Sequence, residues 1–321
     1  MKPLAIVIPA YKARFLDETL RSIAAQNCRD FVVHVGDDAS PENLRAICER
    51  WQGAFDLHYT RFANNLGRDD LVAQWQRCID LGAEPWVWLF GDDDVMPADG
   101  VRLLLDAVER EGGEYELFHF NVEQLGADGR VRLVETEFPL RLSARDFALG
   151  RLGLRLASYA PDYAFSRAAL ARIGGFVRFP RAWCSDDATW ISLAARSGIR
   201  TLDGAKVGWR RSGDNISSAH GADAEAKTQA QVQYLHWLDR FLREHPAAPG
   251  EPSDTEVMRW ARPWFFHQSK LLRHRFFPGR AGPTLAALGD VRGFGPAATL
   301  GSMLRSDASG WVAAAKRRLR G

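Results

Sequence analysis

No apolar run in this 321-residue chain approaches the length of about 20 residues that a membrane-spanning helix needs. The start, Met1-Lys2-Pro3-Leu4, leads straight into a strand-like segment, so no secretory signal is expected. Cys28, Cys48, Cys78 and Cys184 are far apart and form no Cys-x-x-Cys pair. This spacing excludes a zinc ribbon or a disulfide framework and reads as inert, reduced thiols of a cytoplasmic protein. Glycine is absent before Gly36. A sugar nucleotidyltransferase would carry a glycine-rich phosphate loop just after its first strand, so that class is disfavoured, and no P-loop string occurs. The one dinucleotide-like string, Gly293-Phe294-Gly295-Pro296-Ala297-Ala298, follows no strand pattern and is set aside.

Charge is scarce in sum but not in distribution. The whole chain is +2, yet residues 254–321 hold twelve Lys/Arg against four Asp/Glu, a net of +8, which leaves −6 for the first 253 residues. An acidic body with a basic end points to two tasks.

The first 120 residues alternate strand and helix patterns. Leu4–Ile8 is a continuous apolar run, as in a strand buried on both faces, with Pro9 expected to end it. A helix pattern follows over 15–27, then a strand at 31–35 running into Gly36-Asp37-Asp38. Ser40-Pro41 reads as a helix cap and first helical residue, with the helix running to about Trp51. Strands are expected at 55–61, 86–89 and 116–120, with helices at about 69–81 and 97–111 between them. Such alternation gives parallel strand pairing. His34 and His58 fall on strand patterns and read as core or edge histidines.

Farther on the pattern thins. A strand over 131–138, a short helix capped by Ser143, a helix at 167–173 stopped by Gly174-Gly175, and a helix at 186–197 closed by Gly198 are expected. The last third is helical: an amphipathic stripe of Tyr234, Leu235, Leu238, Phe241 and Leu242, a Pro-rich linker over 245–252, and a capping box Ser253–Glu256 opening a helix kinked at Pro263. Basic and aromatic residues interleave from Trp264 to Arg280, and the chain ends Lys316-Arg317-Arg318-Leu319-Arg320.

The chemistry is concentrated at Phe90-Gly91-Asp92-Asp93-Asp94, directly after the strand at 86–89. Three consecutive carboxylates repel one another, and the nearest basic residues in sequence are Arg77 and Arg102. A hard divalent cation, Mg²⁺ or Mn²⁺, compensates such a set, with substrate phosphates and water completing its shell. The alternative is an Asp-rich turn that caps the next helix. Asp37 and Asp38 also stand at a strand's carboxyl end, where open α/β sheets bind ligands, so the two groups can share one crevice.

In order along the chain, Ile8-Pro9-Ala10-Tyr11, Gly36-Asp37-Asp38-Ala39-Ser40, Asp92-Asp93-Asp94, and Ile173-Gly174-Gly175-Phe176 with Asp186-Asp187 and Trp190 resemble the landmarks of the family 2 glycosyltransferases. The form Phe-Gly-Asp-Asp-Asp-Val most resembles the abequosyltransferase-like subgroup of bacterial O-antigen and surface-polysaccharide sugar transferases. The resemblance covers about residues 4–200. It implies the α/β GT-A fold, a doubly wound, mostly parallel sheet. The expected organisation is a catalytic domain over 1–220, its nucleotide-sugar half about 1–100 and its acceptor half about 101–220, followed by a helical, basic and aromatic extension over 221–321.

The resemblance also implies roles. Pro9, Ala10 and Tyr11 line the base pocket, and Asp38, with Asp37, contacts the nucleoside. Asp94 ligates Mn²⁺ or Mg²⁺, Asp92 serves as a ribose or outer metal contact, and Asp93 stands beside them on the donor. Asp187 deprotonates the acceptor hydroxyl, or Asp186 does if the register shifts by one, and the anomeric configuration inverts. Trp183 either stacks on the acceptor sugar or packs in the core. Two departures stand out. Ser212 occupies the place of an expected His, so Arg210 or Arg211 is assigned to the phosphates. The Arg usual after Asn-x-Gly is absent at its place after Asn65, and Arg68 is its candidate substitute. The implied function is an inverting transfer of a sugar from a nucleotide-sugar donor to a glycan or polyprenyl-linked acceptor in bacterial surface polysaccharide synthesis, on the cytoplasmic face of the inner membrane. The rival of another class is a non-catalytic carbohydrate- or nucleotide-binding scaffold. For the basic tail three readings stand: an anionic lipid surface, the diphosphate of a lipid-linked acceptor, or packing against the catalytic domain or a second subunit. Nothing beyond charge supports nucleic acid.

Overall fold

The computed structural model describes residues 1–111, 113–213 and 223–318, with side chains to residue 308. The chain forms two compact units. The first comprises Met1–Ala144, Leu156–Arg178 and Ser185–Asn215; the second comprises Arg145–Arg155, Phe179–Cys184 and Ile216–Gly321. The expected boundary at 220/221 lies outside the described residues, as do Leu319 and Arg320 and the side chains of Lys316, Arg317 and Arg318.

The first unit is built on one nine-stranded sheet. Its first half alternates β1 (Leu4–Ala10), α1 (Leu16–Ala24), β2 (Phe31–Asp37), α2 (Leu44–Glu49), β3 (Leu57–Arg61), α3 (Leu71–Ile79), β4 (Trp86–Leu89) and α4 (Gly100–Arg110). Then come β5 (Leu117–Leu125), β6 (Val131–Val134), β7 (Arg141–Leu142), β8 (Tyr163–Ser166), α6 (Arg167–Arg172), α7 (Ser185–Ser197) and β9 (Ile199–Arg210), while α5 (Ala144–Leu152), between β7 and β8 in the chain, falls in the second unit but for Ala144. Strand order is β3-β2-β1-β4-β8-β5-β9-β7, with β6 on β5. The wing β3-β2-β1-β4 is all parallel, as the alternation requires. Beyond β4 the sheet is mixed, because β8 runs antiparallel to both β4 and β5 while β9 lies parallel to β5.

Burial explains the parallel wing. Leu4, Ala5, Ile6, Val7 and Ile8 are all fully inaccessible, as helices on both faces of a parallel strand demand. Trp88 stacks on Phe120 with ring centroids 4.3 Å apart and donates its indole N–H to the Pro161 carbonyl at 2.8 Å, so a large ring is buried without an orphaned donor.

Several expectations need correction. Pro9 does not end β1; the strand runs on to Ala10, Pro9 paired with Gly36. Val7 presents its carbonyl to Phe90 N–H on the β4 side, and Pro9, two residues on, faces the same side. There β4 has already ended at Leu89, so the missing N–H costs no ladder bond. Helix α2 begins at Leu44 and not at Pro41, because Asn43 caps it by accepting from Ala46 N–H at 3.2 Å. The strand expected over 131–138 is confined to β6. Strands β8 and β9 escaped the pattern: β8 has four residues, and β9 carries a bulge opposite Phe120/Asn121 with exposed Asp203 and Gly204 in its middle.

The second unit is helical: most of α5, a short 3₁₀ turn over Pro180–Ala182, then α8 (Ala224–Glu244), α9 (Asp254–Met258), α10 (Ala261–Leu271), α11 (Ala281–Leu288) and α12 (Pro296–Arg318). The α8 stripe is buried as expected. Both halves of the Ser253–Glu256 capping box form. Pro263 lies in the first turn of α10, a position that lacks an intrahelical N–H bond anyway, so the chain starts a new helix there instead of kinking. Arg145, 3% exposed, donates to the carbonyls of Leu242 (2.7 Å) and Pro252 (3.0 Å) and pairs with Asp254 at 2.8 Å. A cation thus meets the carboxyl end of α8, where helical carbonyls lack partners. Among the described residues no helix is long and apolar enough to cross a membrane.

Candidate active site

The carboxyl ends of β1, β2 and β4 lie side by side, and backbone amides there are tied by carboxylates. The Asp92 carboxylate accepts from the N–H groups of Tyr11 (2.8 Å) and Lys12 (2.9 Å) through Oδ2. The Asp94 carboxylate, 3% exposed, accepts from Arg210 N–H at 2.8 Å, while Thr19 Oγ1 donates to its backbone carbonyl at 2.8 Å. Ser212 Oγ donates to Asp93 Oδ2 at 3.4 Å. Gly91 makes room for this packing: a Cβ there would stand 2.3 Å from Asp94 Oδ2.

Arg210 departs from its expected role. It is wholly buried, and its guanidinium is engaged by protein groups. Its Nε donates to the Asp93 carbonyl (2.7 Å), its Nη1 to the Gly126 carbonyl (3.1 Å), and its Nη2 pairs with Glu18 at 2.7 Å, with the guanidinium over the Phe15 ring. It holds the carboxylate loop from behind. Arg211 is the exposed member of the pair.

Electrostatics follow from this packing. Burial, and then the neighbouring Asp92 charge, push the Asp93 carboxyl up to about 6. Burial, and then Asp93, raise Asp94 well above the carboxylate range. Burial raises Asp92 too, opposed by its two backbone N–H donors. Among the described residues no three His, Cys, Asp or Glu side chains are grouped as a closed metal site. The residues present do fit a hard cation held at one side. They are all-oxygen donors, and their charged forms are disfavoured by burial and mutual repulsion, which a cation reverses.

The second carboxylate pair is firmly engaged. Asp37, fully buried, accepts from Ser40 N–H (2.7 Å), Arg61 Nη1 (2.8 Å) and the Tyr59 hydroxyl. Asp38 accepts from Leu66 N–H (2.7 Å), Gly67 N–H (2.8 Å) and Arg77 Nη2. The Ser40 hydroxyl donates to the Tyr11 carbonyl at 2.6 Å, and Asp38 N–H to the Ala10 carbonyl at 2.9 Å, which joins this pair to the end of β1. Pro9 is half-buried, Ala10 buried and Tyr11 39% exposed, so Tyr11 is the member of that group available to a ligand.

Arg77 was missed. In sequence it reads as one charge on an amphipathic helix; in the fold it reaches Asp38, bonds the Asn64 carbonyl at 2.9 Å and lies over the Phe62 ring at 3.9 Å. Arg68, the expected substitute, has its backbone N–H capped by Asn65 Oδ1 at 2.9 Å and its side chain exposed. Asn65 thereby shapes the turn.

Asp186 and Asp187 stand on the first turn of α7, where the helix dipole favours anions. Asp187 is 4% exposed and Asp186 half-buried, with Asp186 Oδ1 accepting Asp187 N–H at 2.9 Å. Trp183 belongs to the second unit, where the Lys227 ammonium lies 4.6 Å from its ring centroid. Cys48 and Cys78 are buried, and burial pushes both thiols up to about 12, consistent with inert side chains.

A mixed sheet with a parallel wing and acidic motifs at its strand ends is the GT-A arrangement. Known structures share it. The chain superposes on S. aureus TarS 1–349, solved in complex with UDP-GlcNAc, at TM-score 0.67 and 16% identity, covering 97% of this chain and 89% of that one. It superposes on the mannosyltransferase PcManGT of Pyrobaculum calidifontis, solved with GDP-Man and Mn²⁺, at TM-score 0.55 and 18% identity, covering 96% and 79%. Residues 5–154, just under half of the chain, match the model of Glycosyl transferase family 2, so that stretch carries a family 2 glycosyltransferase domain. A curated relative, abequosyltransferase RfbV of Salmonella typhimurium, is 26% identical over 117 residues. That match spans 35% of this chain and 34% of the relative's length.

Proposed function

We propose that this chain transfers a sugar from a nucleotide-sugar donor to an acceptor hydroxyl with inversion at the anomeric carbon. The observation that carries the reading is the acidic triplet at the carboxyl end of β4, Asp94 buried and Asp92 and Asp93 half-buried, fastened on one side to the β1 turn through Asp92 and on the other to Arg210 through Asp94. Fastening of this kind fixes carboxylates before any ligand arrives, and preorganised charge is what phosphate chemistry uses.

The nucleoside lies over the ends of β1 and β2. Tyr11 offers an exposed ring, and Asp38, held by Arg77 and two turn amides, orients the base or ribose. Asp94, with Asp92 or Asp93 beside it, would hold Mn²⁺ or Mg²⁺. When bound, that ion neutralises charge on the leaving diphosphate. Arg211 and Arg68, both with exposed side chains, are assigned to the donor phosphates. Asp187 takes the acceptor hydroxyl proton, with Asp186 the alternative on the same helical turn. The hydroxyl oxygen bonds to the anomeric carbon as the bond to the diphosphate oxygen breaks on the opposite face. A single displacement inverts the centre.

The likeness to an abequosyltransferase supports an acceptor that is a growing glycan, free or polyprenyl-linked, in surface polysaccharide assembly. The basic second unit suits peripheral attachment at the cytoplasmic membrane face. The test is a thermal-shift series with UDP, GDP, CDP and dTDP in Mn²⁺, Mg²⁺ or EDTA. A ligand that binds only the native state raises the melting temperature. One nucleotide is expected to do so, and EDTA to abolish the shift. No shift with any of the four would leave the non-catalytic scaffold as the better reading.

A further inference from the structure

The second unit contains an open groove of about 470 Å³ between α10 and α12, lined in part by the exposed Pro263, His267, Lys270 and Arg305. One water takes up about 30 Å³ of liquid, so the groove is wider than a single phosphate group needs. Arg262, His267 and Lys270 enter it from α10, and Arg305 with Ser302 and Ser306 from α12. Arg262 and Lys270 are eight residues apart with Phe266 midway, so one helical face presents them together. Arg305 Nη2 donates to Ser302 Oγ at 3.1 Å, which fixes one wall.

Among the described residues no Asp or Glu lines this groove, and none forms an ion pair with Arg262, Lys270 or Arg305. Asp307, Asp254 and Glu256 of this unit are committed elsewhere. Asp307 accepts from the N–H groups of Phe276 (3.1 Å) and Phe277 (2.9 Å). Asp254 pairs with Arg145 and Arg292, and Glu256 closes the capping box. Gathering three fixed cations and an imidazole without an internal counter-charge costs Coulomb energy that an anion returns. Arg and Lys together match phosphate oxygens, the fork binding two at once and the ammonium one.

We infer that the α10–α12 groove is a binding site for a diphosphate-bearing ligand. The site stands on the second unit's own residues and holds whether or not the triplet site transfers sugar. Two sources share that chemistry: the head of a prenyl diphosphate-linked acceptor and a nucleoside diphosphate.

The test is titration calorimetry of the full chain with inorganic pyrophosphate, farnesyl diphosphate and UDP. EDTA is kept throughout, so that metal-assisted binding at the triplet is removed. Pyrophosphate is expected to bind the wild type at about 1 mM or tighter. The double variant Lys270→Gln/Arg305→Gln is expected to weaken it at least about tenfold, while Arg240→Gln/Arg259→Gln, which removes equal charge from exposed sites outside the groove, leaves it unchanged. Farnesyl diphosphate binding tighter than UDP assigns the site to a lipid-linked ligand, and the reverse order to a nucleotide. Equal weakening by both double variants, or no pyrophosphate binding by the wild type, overturns the inference.

Discussion

Arg210 grips the acidic loop twice: its backbone N–H donates to Asp94 Oδ1 at 2.8 Å, and its Nε to the Asp93 carbonyl at 2.7 Å. The first bond survives any substitution at 210, whereas the second is lost with the side chain. Arg210→Ala is expected to cost about 3 kcal/mol, because it strands buried carbonyls that the guanidinium satisfied. Urea unfolding reads that loss. Nucleotide binding should fall in the same variant at temperatures where it remains folded, and an unchanged nucleotide affinity would show that the loop keeps its shape without the clamp.

Asp187→Asn is expected to abolish transfer by at least about a hundredfold in kcat, the scale of a lost general base, with nucleotide affinity kept. Asp186→Asn should be mild. If the two results are exchanged, the base is Asp186, one residue earlier on the same turn. A transfer assay on both variants, alongside nucleotide thermal shifts, decides.

Gly91→Ala tests the metal side without touching a carboxylate. The added methyl would meet Asp94 Oδ2 at 2.3 Å, closer than any van der Waals contact, so the carboxylate must move. The expected result is a folded protein whose nucleotide-induced shift no longer depends on Mn²⁺ or Mg²⁺. Retention of full metal dependence would remove Asp94 from the ligand set.

His119 gives a stability prediction apart from the site. Wholly buried on β5, it stacks on Phe138 with centroids 3.8 Å apart, and burial lowers its pKa to about 3. The unfolded chain takes up this proton near pH 6.5, and the folded one only near 3. Its contribution is therefore fully present above pH 6.5 and lost as pH falls toward 3. Below pH 6 the wild type should lose stability relative to His119→Phe at about 1.4 kcal/mol per pH unit. Parallel stability curves for the two proteins would refute the assignment.

The parallel wing was legible because its strands are apolar runs and its helices keep a helical period; β1, α3 and β4 fall within a few residues of expectation. The acidic motifs were legible as residues but only partly as roles. A sequence shows that Arg210 is basic, not that it lies on the inner side of a strand with Phe15 under it. Arg77 shows the same limit. Its partner Asp38 is 39 residues away, and only the crossover from β2 to α3 brings them together. Strand β9 was hidden because its bulge breaks the alternation on which a strand pattern depends.

The second unit borrows Arg145–Arg155 and Phe179–Cys184 from within the stretch that builds the first, so the chain passes between the units five times. No single cut through the gene separates them. A recombination event near residue 220 would carry off the C-terminal helices but leave Arg145 behind, its carbonyl and carboxylate partners gone. An exchange that kept the helical unit whole would have to carry residues 145–155 and 179–184 together with the C-terminal helices.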